Sequence, residues 1–470
     1  MSNSSIHGLR YLVGNKTTVL EKIVWFVLLL VSIYMCSLWI ISAWQAWEEN
    51  PAFIGVGQAP VRAWEIPFPA VTVCPIYRYN QYSEYRFPNI EGESTTNESV
   101  VLEPSDKCDY FKNNDKYGDT DFFEGEPWEK FLTETALSPN QVILKSFLTD
   151  GNDTTDISFS SIQTQWGVCH TFNSLDKADL FRDLTHTPES FWKQRTISYW
   201  TFDKNYYKKN EAVYPQRLKN MIDNVVVHLE STLGYVACFT PNEYYISLHH
   251  PGESPTLGHT ITIKPEKDYN IWIKPEITIA SERLKPYSPS RKKCFFSDER
   301  YLQFYKIYTE DNCKLECLAN YTLTVCGCVP AYFPHNKTTK LCGRNRSGCL
   351  QKSERVMAHL ESGLTQDPVC NCLPSCNSVI YTWEVDSKES EYQHRIVVTL
   401  QYKNVKFNVL ERNELFGDVN FWSSCGGILG LFAGFSVLSL AEIFYYLVFR
   451  WMNNLFGNLW EKLHRLYLSF

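Results

Sequence analysis

The chain has 470 residues, of which 44% are hydrophobic and 21% are charged, and its formal net charge is −7. It contains no long block of lysine and arginine. An acidic chain without a basic face is a poor partner for phosphate backbones, so nucleic-acid binding is not expected.

The first predicted element is a membrane-spanning helix over residues 23–47. Its centre, 23–43, contains no charged residue, and as a helix it is long enough to cross about 30 Å of hydrocarbon. A cleaved signal peptide is the alternative. However, the apolar stretch exceeds a secretory core in length, and no small-residue cleavage site precedes Trp44. Residues 1–22 then form a short N-terminal tail.

A second apolar segment, 421–449, predicts a second span, followed by a tail over 450–470. Basic residues flank the outer ends of both spans: Arg10, Lys16 and Lys22 before the first, and Arg450, Lys462 and Arg465 after the second. The positive-inside rule therefore predicts that both termini are cytosolic. Residues 48–420 are then extracellular, and the expected location is the plasma membrane.

The predicted extracellular region has the chemistry of a secreted domain. Fourteen of the sixteen cysteines lie between Cys74 and Cys376, and such an even number outside the cell predicts up to seven disulfides. The region also holds five N-glycosylation sequons, at Asn97, Asn152, Asn320, Asn336 and Asn345. The sequon at Asn15 should stay unmodified, and sugar attached to it would contradict this topology.

Hydrophobic patterning predicts a mixed extracellular domain. Alternating and β-branched runs favour strands at 224–230, 258–265, 269–280 and 394–413, whereas the apolar spacing over 300–325 favours a helix. The fold class is therefore a membrane protein of α+β type, with a β core and peripheral helices between two spans. We further hypothesise that segments 68–74 and 396–410 pair, which would couple the extracellular domain to both spans.

The cysteines between residues 294 and 376 are the most densely spaced. C-x3-C, C-x-C and "CNCLPSC" would indicate zinc in a cytosolic protein. Outside the cell disulfides are favoured, and spacing alone leaves their connectivity open. No hydrolase or zinc-protease motif is present, and Cys169 and His170 are neighbours that would point to opposite faces of a strand. No enzymatic activity, catalytic residue, cofactor or resident metal is expected.

The second apolar segment is an unusual membrane helix. Gly426, Gly430 and Gly434 recur every four residues and so lie along one face. This stripe fits close packing of helices, but it also fits a pore lining, because the segment carries polar side chains as well. These are Ser436, Ser439 and Glu442, and an acid within a span normally faces protein or water. Two spans cannot enclose a water-filled path, so a pore requires several subunits.

Seven motifs in a fixed order identify a family resemblance. They are "HGLRYL" (7–12), "FPAVTVCP" (68–75), "GVCHTFN" (167–173), "RKKCFFSDERYLQFYKIYTEDNCKLEC" (291–317), "CGCVPAYFP" (326–334), "CNCLPSC" (370–376) and "GGILGLFAGFS" (426–436). The chain resembles the degenerin/epithelial sodium channel family along nearly its whole length, and most of all its insect pickpocket branch.

The resemblance implies a homo- or heterotrimer in the lipid bilayer whose second spans line a pore for sodium or other monovalent cations. A ring of backbone carbonyls and hydroxyls would replace part of the ion's hydration shell. The implied selectivity filter is Gly434, Phe435 and Ser436, and the implied pore lining is Gly426, Gly430, Ser439 and Glu442. The implied gating residues are His7, Gly8 and Ser423.

The resemblance also implies disulfides, namely Cys74–Cys169, Cys294–Cys376, Cys313–Cys372, Cys317–Cys370, Cys326–Cys349 and Cys328–Cys342, with Cys108–Cys238 as a seventh candidate. Two positions depart from the family. Phe435 is bulky where many relatives have a small residue, which leaves sodium-over-potassium preference open. Arg291 stands where acid-sensing relatives have tryptophan, so proton gating does not follow.

The resulting expectation is a subunit of a non-voltage-gated, amiloride-sensitive cation channel, because neither span carries the arginines of a voltage sensor. An extracellular chemical or mechanical stimulus, in sensory cells or epithelia, would open it. The alternatives are a non-conducting or auxiliary receptor subunit of the same architecture and a trimeric ATP-gated channel. The motifs and the cysteine order favour the first family over the ATP-gated one.

Overall fold

The computed structural model describes residues 12, 18–49, 52–79, 136–150, 153–186, 217–218, 223–231, 239–255, 260–342, 346–361, 370–392 and 395–445. The chain divides into two compact units. The first comprises Met1–Phe53, Ser281–Lys292 and Asn413–Phe470, and the second comprises Ile54–Ala280 and Lys293–Arg412. The first unit holds both predicted spans, and the second holds most of the predicted extracellular domain.

Within these ranges the chain forms eight α-helices: α1 (Val19–Glu49), α2 (Pro139–Val142), α3 (Lys177–Leu180), α4 (Pro289–Lys292), α5 (Glu310–Cys326), α6 (Ser347–Glu361), α7 (Asp418–Ala433) and α8 (Val437–Phe444). It also forms fifteen strands: β1 (Ala52–Val56), β2 (Val61–Arg62), β3 (Ala70–Tyr79), β4 (Ile143–Asp150), β5 (Asp153–Asp156), β6 (Ser160–Thr164), β7 (Gly167–Phe172), β8 (Val225–Glu230), β9 (Phe239–His249), β10 (Thr260–Ile263), β11 (Lys267–Ala280), β12 (Ser378–Glu389), β13 (Arg395–Tyr402), β14 (Lys406–Phe407) and β15 (Val409–Glu414).

In the part of the second unit that the structure describes, two sheets form the core. The larger has eight strands in the order β1-β15-β11-β13-β8-β4-β5, with β12 also paired to β11. It is mixed, since β11 runs parallel to β13 and β15 but antiparallel to β12. The smaller sheet has five strands in the order β10-β9-β3-β7-β6, and β14 and β2 form a separate pair. The second unit thus has the predicted mixed fold with a β core.

Alternating sequence patterns explain the centre of the larger sheet. In β8 and β13 every second side chain is buried, as expected where one sheet face meets a core and the other is more open. The antiparallel register places Val227 opposite Val398 and Leu229 opposite Ile396. All four side chains are at most 1% exposed. Such cross-strand pairs fix the register, because a slip of one residue would turn them all to the wrong face.

Helix α5 is flanked at both ends by residues that are typical of helix termini. The Thr309 hydroxyl accepts a hydrogen bond from the Asn312 backbone N–H at 3.1 Å, which satisfies one of the free donors of the first turn. Gly327 ends the helix in the left-handed region at φ 71°, where glycine carries no steric penalty. The predicted helix over 300–325 therefore started too early in the sequence, because α5 begins at Glu310. Before Thr309 the chain is extended or turned. Phe304, Tyr305 and Tyr308 are buried in the core instead, whereas Tyr301 is exposed.

Among the residues that the structure describes, six disulfides link the second unit internally. They join the six pairs that the resemblance implies: Cys74–Cys169, Cys294–Cys376, Cys313–Cys372, Cys317–Cys370, Cys326–Cys349 and Cys328–Cys342. Two of them attach α5 to the segment 370–376. Each disulfide stabilises the folded state by about 2–4 kcal/mol, because the loop that it closes restricts the unfolded chain. Cys108 and Cys238 lie outside the described residues, so their pairing stays a prediction.

The predicted sequons fall in different surroundings. Asn320 is exposed on α5, as a glycan requires, and Asn336 is partly buried in a turn closed by the Thr339 hydroxyl. Asn97, Asn152 and Asn345 lie outside the described residues.

The hypothesis that segments 68–74 and 396–410 pair is wrong. Strand β3 pairs with β7 and β9 in the smaller sheet, whereas β13 belongs to the larger sheet. The two ends of the extracellular region meet instead through segments that lie closer to the spans in sequence. There β1 neighbours β15, and Val61 and Arg62 pair with Phe407 and Lys406. The predicted single strand over 394–413 is also divided, because the chain turns at residues 403–405 between β13 and β14.

Two buried histidines lie in the smaller sheet and the loop that follows β9. Burial lowers the pKa of His170 to about 4. Burial and the adjacent His249 lower the pKa of His250 to about 3. Nδ1 of His250 accepts a hydrogen bond from the Gly252 N–H at 3.1 Å. Protonation of this nitrogen would remove that acceptor, so the native state keeps His250 neutral.

His250 therefore makes a contribution to stability that is expected to be lost in acid. Because the folded pKa of His250 lies below the ordinary value of 6.5, the stabilisation is fully present above pH 6.5 and is lost as the pH falls toward 3. At pH 5 the loss is about 2 kcal/mol. We expect His250→Asn, which retains an acceptor near Nδ1, to reduce the drop in melting temperature between pH 7.5 and pH 5. An equal drop in parent and variant would contradict this assignment.

Candidate functional site

The site is built from helices α1 and α7 of the first unit. Of the described residues, α1 forms the one helix that is long and apolar enough to cross a bilayer, over Val19–Glu48. It extends beyond the predicted span of 23–47 at both ends. Helices α7 and α8 have 16 and 8 residues, because the predicted second span is interrupted in its middle.

One face of α7 packs against α1. The Ser32 hydroxyl donates a hydrogen bond to the Phe432 carbonyl at 2.5 Å, and the ring of Trp44 lies edge-on to that of Phe421 at 5.8 Å. Phe421 and Cys425 are the buried residues of α7. At about 100° per residue, Phe421, Cys425 and Phe432 fall on a single stripe.

The opposite face of α7 carries small residues. Ser423 and Gly430 lie about half a turn away from the stripe that contacts α1, and Gly426 lies about a third of a turn away. Ser423 and Gly426 are exposed, and a methyl group built on Gly426 would have no atom within 4 Å in the described part of the chain. Packing between the two helices of one chain therefore does not explain the glycine stripe.

The interruption of the second apolar segment coincides with the predicted filter. Gly434 ends α7 in the left-handed region at φ 63°, and its N–H donates to the Gly430 carbonyl at 3.0 Å. Phe435 donates to the Leu429 carbonyl at 3.2 Å. Residues 434–436 are outside any helix. Ser436 is the N-cap of the next helix and its carbonyl accepts the first bond of that helix, so the carbonyls of Gly434 and Phe435 are the ones that stay outside a helical ladder.

Two serines begin helix α8. The Ser436 N–H donates to the Ser439 hydroxyl at 3.2 Å, and the Ser439 N–H donates to the Ser436 hydroxyl at 3.3 Å. This reciprocal pair is the arrangement of a capping box. Ser439 is buried within the single chain, whereas a pore-lining side chain would be expected to be exposed there. Glu442 lies in α8, and His7 and Gly8 lie outside the described residues.

A further cluster was missed by the sequence predictions. It is centred on Trp47 near the end of α1, and we call it the Trp47 cluster: Trp47, Tyr287, Arg291, Asp418 and Phe421. The Arg291 guanidinium lies 3.8 Å from the centre of the Trp47 ring and donates a hydrogen bond to the Trp47 carbonyl. The indole N–H of Trp47 donates to the Asp418 carboxylate at 3.0 Å, and its ring stacks on Phe421 at 5.1 Å.

The Trp47 cluster joins three separate segments of the first unit. Tyr287 lies in the same segment as Arg291, and its hydroxyl donates to the Glu414 carboxylate. Burial and this carboxylate raise the pKa of Tyr287 to about 12. The segment Ser281–Lys292, the end of α1 and the start of α7 are thus held by one tryptophan. In the sequence, Trp44 and Trp47 at the end of a span are a typical interfacial aromatic pair. This pattern is the one that could have indicated the cluster.

Loss of the guanidinium should weaken this cluster measurably. We expect Arg291→Gln to lower the melting temperature of the purified protein, and a double-mutant cycle with Trp47→Leu to give a coupling of about 1–2 kcal/mol. Arg283→Gln is the matched control, because Arg283 is exposed in the same segment and its loss should have little effect. A coupling near zero would mean that the stacking of Arg291 on Trp47 contributes nothing to the free energy of unfolding.

Comparisons with known proteins identify the family. The family model described as amiloride-sensitive sodium channel matches residues 1–446. Pickpocket protein 28 of Drosophila melanogaster is 27% identical over 489 residues, covering 96% of this chain and 78% of that protein. Sodium channel protein Nach of Drosophila ananassae is 23% identical over 487 residues, covering 95% and 85%. Acid-sensing ion channel 4-B of Danio rerio is 20% identical over 476 residues, covering 95% and 74%.

These matches cover both units. The family model begins before α1 and ends after α8, so it spans the disulfide-linked second unit as well as the helices of the first. The same family was expected from the seven ordered motifs, and its members are ion channels rather than enzymes. The chain belongs to the amiloride-sensitive sodium channel family of membrane proteins, on its insect pickpocket side.

Proposed function

We propose that the chain is one subunit of a trimeric, non-voltage-gated cation channel whose pore is lined by α7 and α8. The observation that carries the proposal is the two-sided character of α7. One face packs on α1, whereas the opposite face presents Ser423, Gly426 and Gly430. One such face cannot surround a water-filled path, so several copies are needed. Three is the number that the family resemblance implies.

The break at residues 434–436 supports a filter at that position. Carbonyl groups that leave a helical ladder are free to coordinate a partly dehydrated cation. Gly434 permits the break because it occupies the left-handed region without strain. Phe435 is the bulky member of the filter, so the preference for sodium over potassium is the property to measure. Glu442, in the helix beyond the break, would add a ring of acids that favours cations.

The proposed route of gating follows the chain itself. Strands β1 and β15 are neighbours in the larger sheet, β1 leads back to α1, and β15 leads on to α7. A rearrangement of that sheet by an extracellular stimulus would therefore act on both helices together.

We place both termini in the cytosol and the channel in the plasma membrane, and we expect block by amiloride.

Flux through reconstituted protein tests the proposal. The full chain, purified and reconstituted in lipid vesicles, should take up radioactive sodium in an amiloride-sensitive manner, and chemical crosslinking in the same vesicles should stop at trimers. If crosslinked trimers take up no sodium, alone or beside sister subunits, the auxiliary-receptor alternative is favoured. If crosslinking stops at another number, the trimeric pore is rejected.

A further inference from the structure

Ser439 lies in the first turn of α8, next to the proposed filter but not at its surface. Its side chain is 2% exposed, whereas Ser436, which begins the same turn, is exposed. The Ser439 hydroxyl accepts a hydrogen bond from the Ser436 N–H at 3.2 Å, and the two hydroxyl oxygens are also 3.2 Å apart. A side chain that is buried and bonded in this way fits a supporting role better than contact with a passing ion.

The hydrogen bond to Ser439 fixes the direction of the Phe435 carbonyl. The Ser436 N–H and the Phe435 carbonyl belong to one peptide group, which is planar and trans, so the two point in opposite directions. Because the N–H is turned toward the first turn of α8, the carbonyl oxygen is turned back toward α7.

Gly430 lies on the side to which this carbonyl points. A methyl group built on Gly430 would lie 3.8 Å from the Phe435 carbonyl oxygen, and among the described residues that oxygen is the one atom within 4 Å of it. Gly430 belongs to the face of α7 that is turned away from α1. The oxygen is therefore beside the small residues of α7, and glycine leaves the space next to it open within the described part of one chain.

We propose that Ser439 is a positioning residue of the filter, which holds the Phe435 carbonyl oxygen beside Gly430 as a ligand for a partly dehydrated monovalent cation. This inference rests on the proposed channel function, because the ion reaches the oxygen only where several copies of α7 surround a pore. A carbonyl outside a helical ladder is free to take the place of a water molecule of the ion. The position of that oxygen then contributes to the choice among ions, and the Ser439 hydroxyl sets the position.

The ratio of sodium uptake to rubidium uptake tests the role of Ser439. The full chain is reconstituted in lipid vesicles and both radioactive ions are supplied together, so that the ratio does not depend on the number of active channels. We expect Ser439→Ala to change the ratio by about 2- to 10-fold, the range that corresponds to loss of one hydrogen bond. Ser439→Thr keeps a hydroxyl, and Ser424→Ala removes one from α7 instead, so both should keep the ratio close to that of the parent.

Gly430→Ala tests the same oxygen from its other side. The added methyl group would contact the Phe435 carbonyl oxygen and hinder the approach of the ion, so the ratio should change, whereas Gly427→Ala should leave it unchanged. Because Ser439→Ala and Gly430→Ala act on one oxygen, their effects on the logarithm of the ratio should not add in the double variant. If Ser439→Ala gives no uptake of either ion, the comparison of Gly430→Ala with Gly427→Ala decides.

The outcomes separate this inference from the proposed function. If the parent takes up neither ion, alone or beside sister subunits, the proposed channel fails and the ligand role of Phe435 fails with it. If the parent takes up sodium and Ser439→Ala keeps the parent's ratio, the positioning role alone is overturned, even where the melting temperature falls, because a helix cap supports stability without affecting selectivity. If Gly430→Ala keeps the parent's ratio, the Phe435 carbonyl is not a ligand of the ion.

Discussion

Replacement of Ser423 by tryptophan is expected to produce a standing inward cation current without any stimulus. Ser423 lies on the small face of α7, opposite the residues that contact α1, and its side chain is exposed within the chain. In the proposed trimer this face meets its two copies at the pore axis. An indole at that position cannot fit between closely approaching helices, so the closed arrangement is disfavoured.

The size of the effect follows from the three copies. Overpacking costs about 1–3 kcal/mol at each site, and three sites together approach the roughly 5.5 kcal/mol that converts a mostly closed population into a mostly open one. The experiment compares holding current with surface expression in the same cells.

Ser424→Trp is the matched control for this substitution. It adds the same group one position along the helix, about 100° around its axis, and should leave the channel closed. If Ser423→Trp carries no standing current at normal surface density, or if both variants carry equal currents, Ser423 is not a gating residue.

The strands of the second unit could be predicted from the sequence because local patterns determine them. Strands β8 and β11 match the predicted runs closely, since alternating Val, Ile and Leu side chains identify a buried face without knowledge of their partners. Partner choice is different. The hypothesis that 68–74 pairs with 396–410 failed because both segments satisfy the strand pattern equally well, and only tertiary contacts decide which strand is adjacent to which.

The site was predictable only in part. Glycine and serine in the second apolar segment indicated a functional helix, yet they did not indicate where it would break, because Gly426 and Gly430 remain helical while Gly434 does not. Nothing local distinguishes these three glycines. The Trp47 cluster was missed for a related reason. Trp47 and Arg291 are far apart in sequence, and a cation–π contact leaves no periodic pattern.

Replacement of Gly434 by alanine is expected to abolish normal ion selectivity and most of the current. The left-handed conformation at φ 63° costs an L-residue about 1–2 kcal/mol, and the trimer would incur this cost three times. Alanine also favours continuation of the helix by about 1 kcal/mol relative to glycine. Both effects promote a continuous helix through 434–436, and its hydrogen-bond ladder would then occupy the carbonyls that are proposed to coordinate the ion.

Gly427→Ala separates this effect from simple addition of a methyl group. Gly427 is helical, so alanine adds a methyl group there without changing the backbone conformation, and its replacement should leave selectivity unchanged. Reversal potentials in sodium, potassium and lithium solutions, recorded in the Ser423→Trp background so that no stimulus is needed, give the comparison. If Gly434→Ala retains the parent's reversal potentials and current density, the ion is not coordinated by a broken helix at 434–436. The filter must then be sought elsewhere along α7 and α8, because a methyl group that forces this segment to refold cannot leave a filter built from it unchanged.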